Sequence, residues 1–281
     1  MNIRQKRIGL LGATGMVGTG FARMVEISPH KLRTFLRSEF DILSNSVDML
    51  NLDGCDVVIN LAGMTNRMMI NSKTEASGDI CNGVFPQMLA RRCAALKIPL
   101  IHLSTDCVFS GRIGLHAENA TPDATDPYGV SKIKGECPEE TMVMRTSIIG
   151  PEQKNFNSLL CWFLSQKNTC DGFVNHLWNG MTNIQFAKIL IQIIESDQIK
   201  NGVYHVHSDD VSKFELLNLM KVAFNKTIQI NPVEDINEKD MRLRSLKPLT
   251  GLEIDIPPLC EQITELVQFA DNQGRWKLIS E

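Results

Sequence analysis

Short apolar runs alternate with stretches of helical periodicity along the first half of the chain. The predicted strands cover residues 8–11, 32–36, 56–62 and 99–104, and the predicted helices cover residues 21–25 and 81–96. Most of these strands are apolar throughout, which is typical of a parallel sheet that helices cover on both faces. The pattern therefore predicts an α/β fold built on a doubly wound parallel sheet.

The second half of the chain is less regular. Residues 142–145 and 202–206 predict strands, and residues 158–164, 183–194 and 213–224 predict helices. Four prolines predict a looser end: Pro232, Pro248, Pro257 and Pro258. This change of pattern indicates a smaller C-terminal lobe.

A glycine loop, Gly12-Ala13-Thr14-Gly15-Met16-Val17-Gly18, joins the first predicted strand to a helix. Glycines permit a tight turn and let backbone N–H groups approach a pyrophosphate, whose charge the helix N-terminus favours. The alternative is an ordinary strand–helix turn. The position predicts a Rossmann-type dinucleotide-binding domain over residues 1–150. Residues 151–281 would then be mostly a substrate lobe, with segments that return to the first domain.

The end of the second predicted strand bears on the choice of cofactor. An acidic residue about 20 positions after the loop would bind the 2′-hydroxyl of NAD. Arg37 stands there instead, and a guanidinium can pair with the 2′-phosphate of NADP. The alternative is a solvated surface arginine. The sequence favours NADP, with NADPH preferred and NADH possible.

Tyr128 and Lys132 stand four residues apart, so a helix places them on one face. The lysine is expected to lower the tyrosine pKa from its usual value of about 10, which suits acid–base chemistry. Ser104 and Thr105 end a predicted strand, and Thr105 is expected to hydrogen-bond a substrate carbonyl. For one of these two hydroxyls, capping of the strand end is the expected role.

Three longer strings resemble the dTDP-4-dehydrorhamnose reductase family: residues 102–111, 128–136 and 144–150. With the glycine loop and residues 60–63, the resemblance is strong over the first 150 residues and weak beyond residue 230. It implies a catalytic triad of Thr105, Tyr128 and Lys132, with Asp106 in the substrate pocket. The cofactor contacts that it implies are Gly12, Thr14, Gly15, Met16, Val17, Gly18, Arg37, Asp41, Ile42, Ala62, Gly63, Thr65, Tyr128 and Lys132.

Other positions leave the substrate open. Trp178 and Asn179 are predicted to contact the sugar, and packing of the second lobe is an equal alternative for Trp178. Cys107 stands where the family often has tyrosine, and Ile148 stands where the rhamnose enzymes have an aromatic residue near the sugar. The identity of the sugar is therefore open, and so is that of its nucleotide. A related branch that acts on other nucleotide 4-keto sugars, such as UDP-linked ones, fits about as well.

The resemblance predicts an NAD(P)H-dependent reductase of a nucleotide-diphospho-4-keto-6-deoxy sugar, in deoxysugar or polysaccharide biosynthesis. One alternative is a non-catalytic NADP-binding protein like the regulatory subunit of methionine adenosyltransferase. Another is a sugar-nucleotide epimerase or dehydratase. A dehydratase usually has adjoining acidic residues beside the threonine, whereas Cys107 follows Asp106 here.

Composition narrows the class of protein. The net charge of −3 over 281 residues gives no sign of nucleic-acid or membrane binding. No apolar run approaches the length of a membrane span, and no signal peptide is predicted. Eight cysteines without a Cys-x-x-Cys pair suggest reduced thiols in a cytoplasmic protein.

The expected partner is the nucleotide-sugar substrate, and a homodimer is left open. His205 and His207 lack a third ligand in evident spacing, so no metal is predicted.

Overall fold

The computed structural model describes residues 4–71, 75–152, 158–246 and 254–271. The strands are β1 Arg7–Leu11, β2 Lys31–Phe35, β3 Val57–Asn60, β4 Leu100–Leu103, β5 Met142–Arg145, β6 Ile148–Ile149, β7 Thr169–Phe173, β8 His176–Trp178, β9 Met181–Thr182, β10 Gly202–His205, β11 Val211–Ser212, β12 Gln229–Val233 and β13 Lys239–Asp240. The helices are α1 Met16–Glu26, α2 Asn66–Asn71, α3 Glu75–Asp79, α4 Phe85–Leu96, α5 Pro127–Gly135, α6 Leu159–Ser165, α7 Asn183–Glu195, α8 Lys213–Ala223 and α9 Leu259–Asp271. Of the helices described, none is long and apolar enough to cross a membrane.

The main sheet has six parallel strands in the order β2-β1-β3-β4-β5-β10. This confirms the predicted doubly wound parallel sheet. The strand order reverses between β1 and β3, and ligands of such sheets bind at the carboxyl ends of the strands beside that reversal. The glycine loop follows β1 at that edge, and residues 61–65 follow β3.

Helices cover the sheet on both faces because its strands are apolar on both sides. On one face, Phe21 of α1 and Phe186 of α7 are buried against strand residues such as Ile59. On the other face, Leu89 of α4 is buried against Val58. The main core therefore lies between the sheet and the helix layer on each of its faces. These three layers fix the position of the carboxyl edge of the sheet.

The second half of the chain contributes both to the main sheet and to a second, smaller core. Helix α7 and strand β10 join the main sheet, whereas the remaining strands form small sheets of two or three strands. Around these small sheets a second core contains Trp178, Leu217 of α8 and Ile263 of α9.

The predicted looser C-terminal end is found in part: described residues 241–246 and 254–258 form no helix or named strand, whereas β12 and α9 are regular elements. Pro232 lies within β12, which among the described strands pairs only with β7, so it sits on an edge where a missing N–H is tolerated. Pro257 and Pro258 directly precede α9, whose Leu259 and Ile263 are spaced four apart and buried. Pro248 lies outside the described residues.

Candidate active site

The glycine loop turns sharply against the end of β3. Gly12 has a φ of 80°, and a Cβ added to it would lie 2.5 Å from the backbone nitrogen of Ala62. A Cβ on Gly18 would lie 2.0 Å from the Gly12 oxygen, so neither position accepts a side chain. Thr14 and Gly15 of the same loop are exposed.

The start of α1 offers backbone N–H groups to an anion. Gly15 is the residue before the first turn, and no side chain among the described residues caps this helix end. The first turn, which includes Met16 and Val17, contains no acidic residue. Unpaired N–H groups at a helix start favour a negative group, so these residues fit the pyrophosphate of a dinucleotide.

Hydrogen bonds with the buried side chain of Asn82 stabilise the loop after β3. The Asn82 side chain accepts a hydrogen bond from the Met64 N–H and donates one to the Met64 oxygen, both 2.8 Å long. A Cβ on Gly63 would lie 3.0 Å from Asn82 Oδ1 and 4.0 Å from Lys132 Nζ. The predicted contact Gly63 therefore stands beside the lysine of the predicted triad, and the predicted contacts Ala62 and Thr65 belong to the same loop.

Sequence reasoning missed Asn82. It lies in a single π-helical turn, Ile80–Val84, that runs directly into α4, so the helical periodicity barely changes there. It is fully buried and donates to Ser131 Oγ at 3.1 Å. Gly135 allows this approach, because a Cβ there would lie 2.0 Å from the Asn82 oxygen. Asn82 therefore ties the loop to α5.

Arg37 and Asp41 lie together just after β2, the neighbour of β1. Arg37 Nε is 3.2 Å from Asp41 Oδ2, and the Arg37 side chain is 77% exposed. An exposed ion pair of this kind contributes little stability, so the guanidinium is free to turn to another anion. Ile42 packs, half-buried, against the core around Phe40. Contact of these residues with a cofactor stays a prediction.

Thr105 and Asp106 lie at the carboxyl end of β4. Thr105 Oγ1 donates to Asp106 Oδ1 at 3.0 Å and accepts from the Cys107 N–H at 3.2 Å. Ser104 Oγ instead donates to Glu136 Oε1 at 2.6 Å, which commits it to the interior. Burial raises the pKa of Asp106, and the hydrogen bonds from Thr105 and Cys107 act against that rise.

Helix α5 brings Tyr128 and Lys132 to Thr105. Asp126 caps the helix by accepting from the Gly129 N–H at 3.0 Å, and a Cβ on Gly129 would lie 2.5 Å from the Cys107 oxygen. This close approach brings the Tyr128 hydroxyl near that of Thr105. Lys132 Nζ donates to the Leu103 oxygen at 2.7 Å. The structure therefore gathers the three residues of the predicted triad.

The acidities of this group differ from the sequence-based expectation. Burial raises the pKa of Tyr128, and the neighbouring Thr105 hydroxyl only partly opposes that rise. The expectation that Lys132 lowers this pKa is wrong for this structure, because burial outweighs it. Burial also lowers the pKa of Lys132 to about 8, against the attraction of Glu136. Tyr128 therefore keeps its proton at neutral pH.

A buried ion pair supports the base of the site, and sequence reasoning missed it. Arg145, the last residue of β5, donates to Glu136 through Nε at 2.9 Å and Nη2 at 2.7 Å. Glu136 follows Lys132 by four residues, a spacing that places two side chains on one face of a helix. That spacing could have indicated the role of Glu136. The pair fixes the end of α5 to the sheet, because both of its side chains are buried.

Trp178 and Asn179 are both buried in the second lobe. Trp178 is 3% exposed and belongs to the core of that lobe, and Lys213 Nζ lies 5.3 Å from the centre of its ring. Asn179 is 2% exposed; it donates to Asp210 Oδ1 and the Leu243 oxygen, and it accepts from the Leu243 N–H. Contact of these two residues with a sugar stays a prediction, although both amide protons of Asn179 are already used.

Two further charged groups of this region, Arg242 and His205, also have nearby partners. Arg242 bonds to Asp240 at 2.6 Å and to Asp210 at 2.9 Å, so two carboxylates already neutralise its guanidinium. His205 is buried beside Arg145, and burial lowers its pKa to about 4. Within the described part of the chain, no three His, Cys, Asp or Glu side chains are grouped as a metal site would require.

Comparisons with known proteins agree with this architecture. The family profile of the RmlD substrate binding domain matches residues 6–247. A dTDP-4-dehydrorhamnose reductase of Mycolicibacterium smegmatis is 26% identical over 226 residues, which cover 76% of this chain and 68% of the relative. Methionine adenosyltransferase 2 subunit beta of Xenopus tropicalis is 24% identical over 262 residues, which cover 84% and 77%.

A solved structure shows the same fold. The complex of Bacillus anthracis dTDP-4-dehydrorhamnose reductase with NADP superposes with a TM-score of 0.80 at 17% identity, covering 94% of this chain and 99% of that one. Together, the fold and a profile match over most of the chain establish its relationship. The chain belongs to the RmlD substrate binding domain family, the dTDP-4-dehydrorhamnose reductase family that its motifs resemble.

Proposed function

We propose that the protein is an NADPH-dependent reductase of a nucleotide-diphospho-4-keto-6-deoxy sugar. The observation that carries this proposal is that Thr105, Tyr128 and Lys132 lie together at the carboxyl edge of the sheet, next to the loop after β3 on which the glycine loop packs. Relatives named as dTDP-4-dehydrorhamnose reductases support the class of substrate.

The residues that would hold the cofactor lie along one edge. The N–H groups at the start of α1 would bind the pyrophosphate, and Arg37 would exchange Asp41 for the 2′-phosphate. Lys132, next to Gly63, would bind the nicotinamide ribose. When bound, the nicotinamide supplies the hydride that goes to the keto carbon. An NADP complex of a structural relative supports the choice of this cofactor.

The protein's own residues handle the carbonyl oxygen and the proton. The Thr105 hydroxyl, now bonded to Asp106, would donate to the carbonyl oxygen and polarise the C=O bond. Tyr128 would then transfer its proton to that oxygen as charge develops on it. The raised pKa of Tyr128 suits this role, because the phenol is fully protonated before the reaction. The product is the corresponding alcohol.

The test measures NADPH oxidation against a panel of dTDP- and UDP-linked 4-keto-6-deoxy sugars. Tyr128→Phe removes the proton donor and keeps the ring, so kcat should fall by about 10²–10⁴-fold with little change in NADPH affinity. Tyr204→Phe, at the only other tyrosine, is the matched control and should keep kcat near wild type. Near-normal turnover by Tyr128→Phe would refute the mechanism.

The same assay separates the alternatives. The match to methionine adenosyltransferase 2 subunit beta covers more of this chain than the match to the reductase, so a non-catalytic binding role has specific support. That role predicts NADPH binding without reduction of any sugar in the panel. An epimerase or dehydratase would convert the nucleotide sugar and show no net NADPH oxidation, because it regenerates its cofactor.

A further inference from the structure

Lys213 is a cation beside the proposed catalytic group, and the mechanism above does not use it. It is the first residue of α8 and follows Ser212, which forms a reciprocal capping box with Glu215. Its side chain is half-buried and lies over the ring of Trp178, 5.3 Å from the ring centre. Among the described residues, its ammonium group makes no hydrogen bond and no ion pair within 4.0 Å.

A short series of contacts places Lys213 near Thr105. Asp106, which accepts from Thr105 Oγ1, also lies close to the Ser147 hydroxyl, which helps to hold its pKa down. Gly180 packs between Ser147 and Trp178, since a Cβ on it would lie 2.1 Å from the Ser147 oxygen and 2.2 Å from the Trp178 ring. Lys213 covers that same ring. Asp106 and Lys213 therefore lie in the same region of the candidate site, connected through Ser147, Gly180 and Trp178.

Lys213 and Asp106 interact electrostatically without forming an ion pair. Burial lowers the pKa of Lys213, and the Asp106 carboxylate acts in the opposite direction. Their charged atoms are nevertheless more than 4.0 Å apart, since no ion pair joins these two described residues. A hydroxyl oxygen that hydrogen-bonds both groups would bridge a separation of about 4.6 Å, because two bonds of about 2.8 Å meet there at a roughly tetrahedral angle.

A purely structural role explains Lys213 poorly. The positive end of a helix dipole lies at its first turn, so a lysine at this position of α8 is disfavoured. Partial burial adds a desolvation cost, and the described residues supply no hydrogen bond that compensates for it. Ionisable groups held at such a cost are typical of functional sites.

We propose that Lys213 and Asp106 together bind one hydroxyl of the sugar ring and so select the sugar. The ammonium group donates a hydrogen bond to the hydroxyl oxygen, and the Asp106 carboxylate accepts a hydrogen bond from the hydroxyl. Trp178 limits the positions open to the Lys213 side chain. This inference rests on the proposed function and adds a specificity-determining residue to it.

The experiment measures binding by titration calorimetry in the presence of NADPH. The probes are dTDP-glucose and UDP-glucose, each compared with its own nucleoside diphosphate. A hydrogen bond from a charged group contributes enough that Lys213→Met should weaken sugar-nucleotide binding by about tenfold or more. Binding of the nucleoside diphosphate alone and of NADPH should not change. Lys213→Arg, which keeps the charge, should recover part of the loss.

The controls make each outcome decisive. Lys221→Met, two turns later on α8, should leave every affinity unchanged. Equal loss for the sugar nucleotide and its nucleoside diphosphate would mean that Lys213 contacts phosphate, and an unchanged affinity would mean that it contacts nothing; either result overturns the proposal. So does a wild-type protein that binds neither sugar nucleotide. A selective loss in Lys213→Met, with no reduction of keto sugars by wild type, would keep the sugar contact and refute the reductase function.

Discussion

Replacing Glu136 with glutamine tests the buried ion pair beneath the site. The change keeps the shape of the side chain and removes its charge, so the Arg145 guanidinium loses the anion that neutralises it. The two side chains are only 4% and 7% exposed, so water cannot take over. Breaking a buried pair by removing one partner typically costs about 3–5 kcal/mol, and we expect Glu136→Gln to lower the free energy of unfolding by that amount.

Urea unfolding at neutral pH, followed by tryptophan fluorescence, measures this loss. Lys134→Gln is the matched control, because Lys134 stands two residues away and pairs with Asp79 on the surface, where the side chains are 44% and 46% exposed. Exposed pairs contribute about 0–1 kcal/mol, so the control should unfold much like wild type. If both variants fell within about 1 kcal/mol of wild type, the inference that the Glu136–Arg145 pair is desolvated would be refuted.

Three further predictions concern the cofactor and pH. Arg37→Ala should shrink the preference for NADPH over NADH, measured as the ratio of the two kcat/KM values; an unchanged ratio would mean that Arg37 stays with Asp41. Gly18→Ala should abolish NADPH binding in a fluorescence titration, because its Cβ would lie 2.0 Å from the Gly12 oxygen, and retained affinity would show that the loop can shift. The pKa of Lys132, lowered by burial to about 8, predicts that kcat/KM falls as the pH rises through that value and the lysine loses its charge. A profile that stays flat up to the usual lysine pKa of about 10.4 would contradict this.

Periodicity and glycine spacing predicted the parts of the structure that depend on local sequence. The buried strands of the main sheet are apolar because helices cover both faces, so their runs stand out in the sequence. The string from Tyr128 to Gly135 was also informative, because each small residue has a contact that requires it. Gly129 packs on the Cys107 oxygen, and Gly135 packs on the Asn82 oxygen.

Residues whose role depends on a distant partner were not predictable in this way. Asn82 looks like one polar residue in a helix until Met64 is placed beside it. Asn179 was expected near the sugar, yet its amide bonds to Leu243, which is 64 positions away in the chain. The direction of the Tyr128 pKa was also out of reach, since it depends on how deeply α5 is buried. Lys213 had a local signal in the capping box of Ser212 and Glu215, which marks the start of α8.

Strand β10 has a consequence for engineering and for the evolution of the two lobes. It enters the main sheet beside β5 after the chain has already built part of the second lobe, and α7 packs on α1 on the way. A truncated chain that ends near residue 150 would therefore leave the backbone of β5 as an open sheet edge, which invites aggregation. Lobes cannot be exchanged between relatives by a single cut. A chimera that exchanges the whole second lobe needs three junctions, one after β5 and one on each side of the segment from α7 to β10.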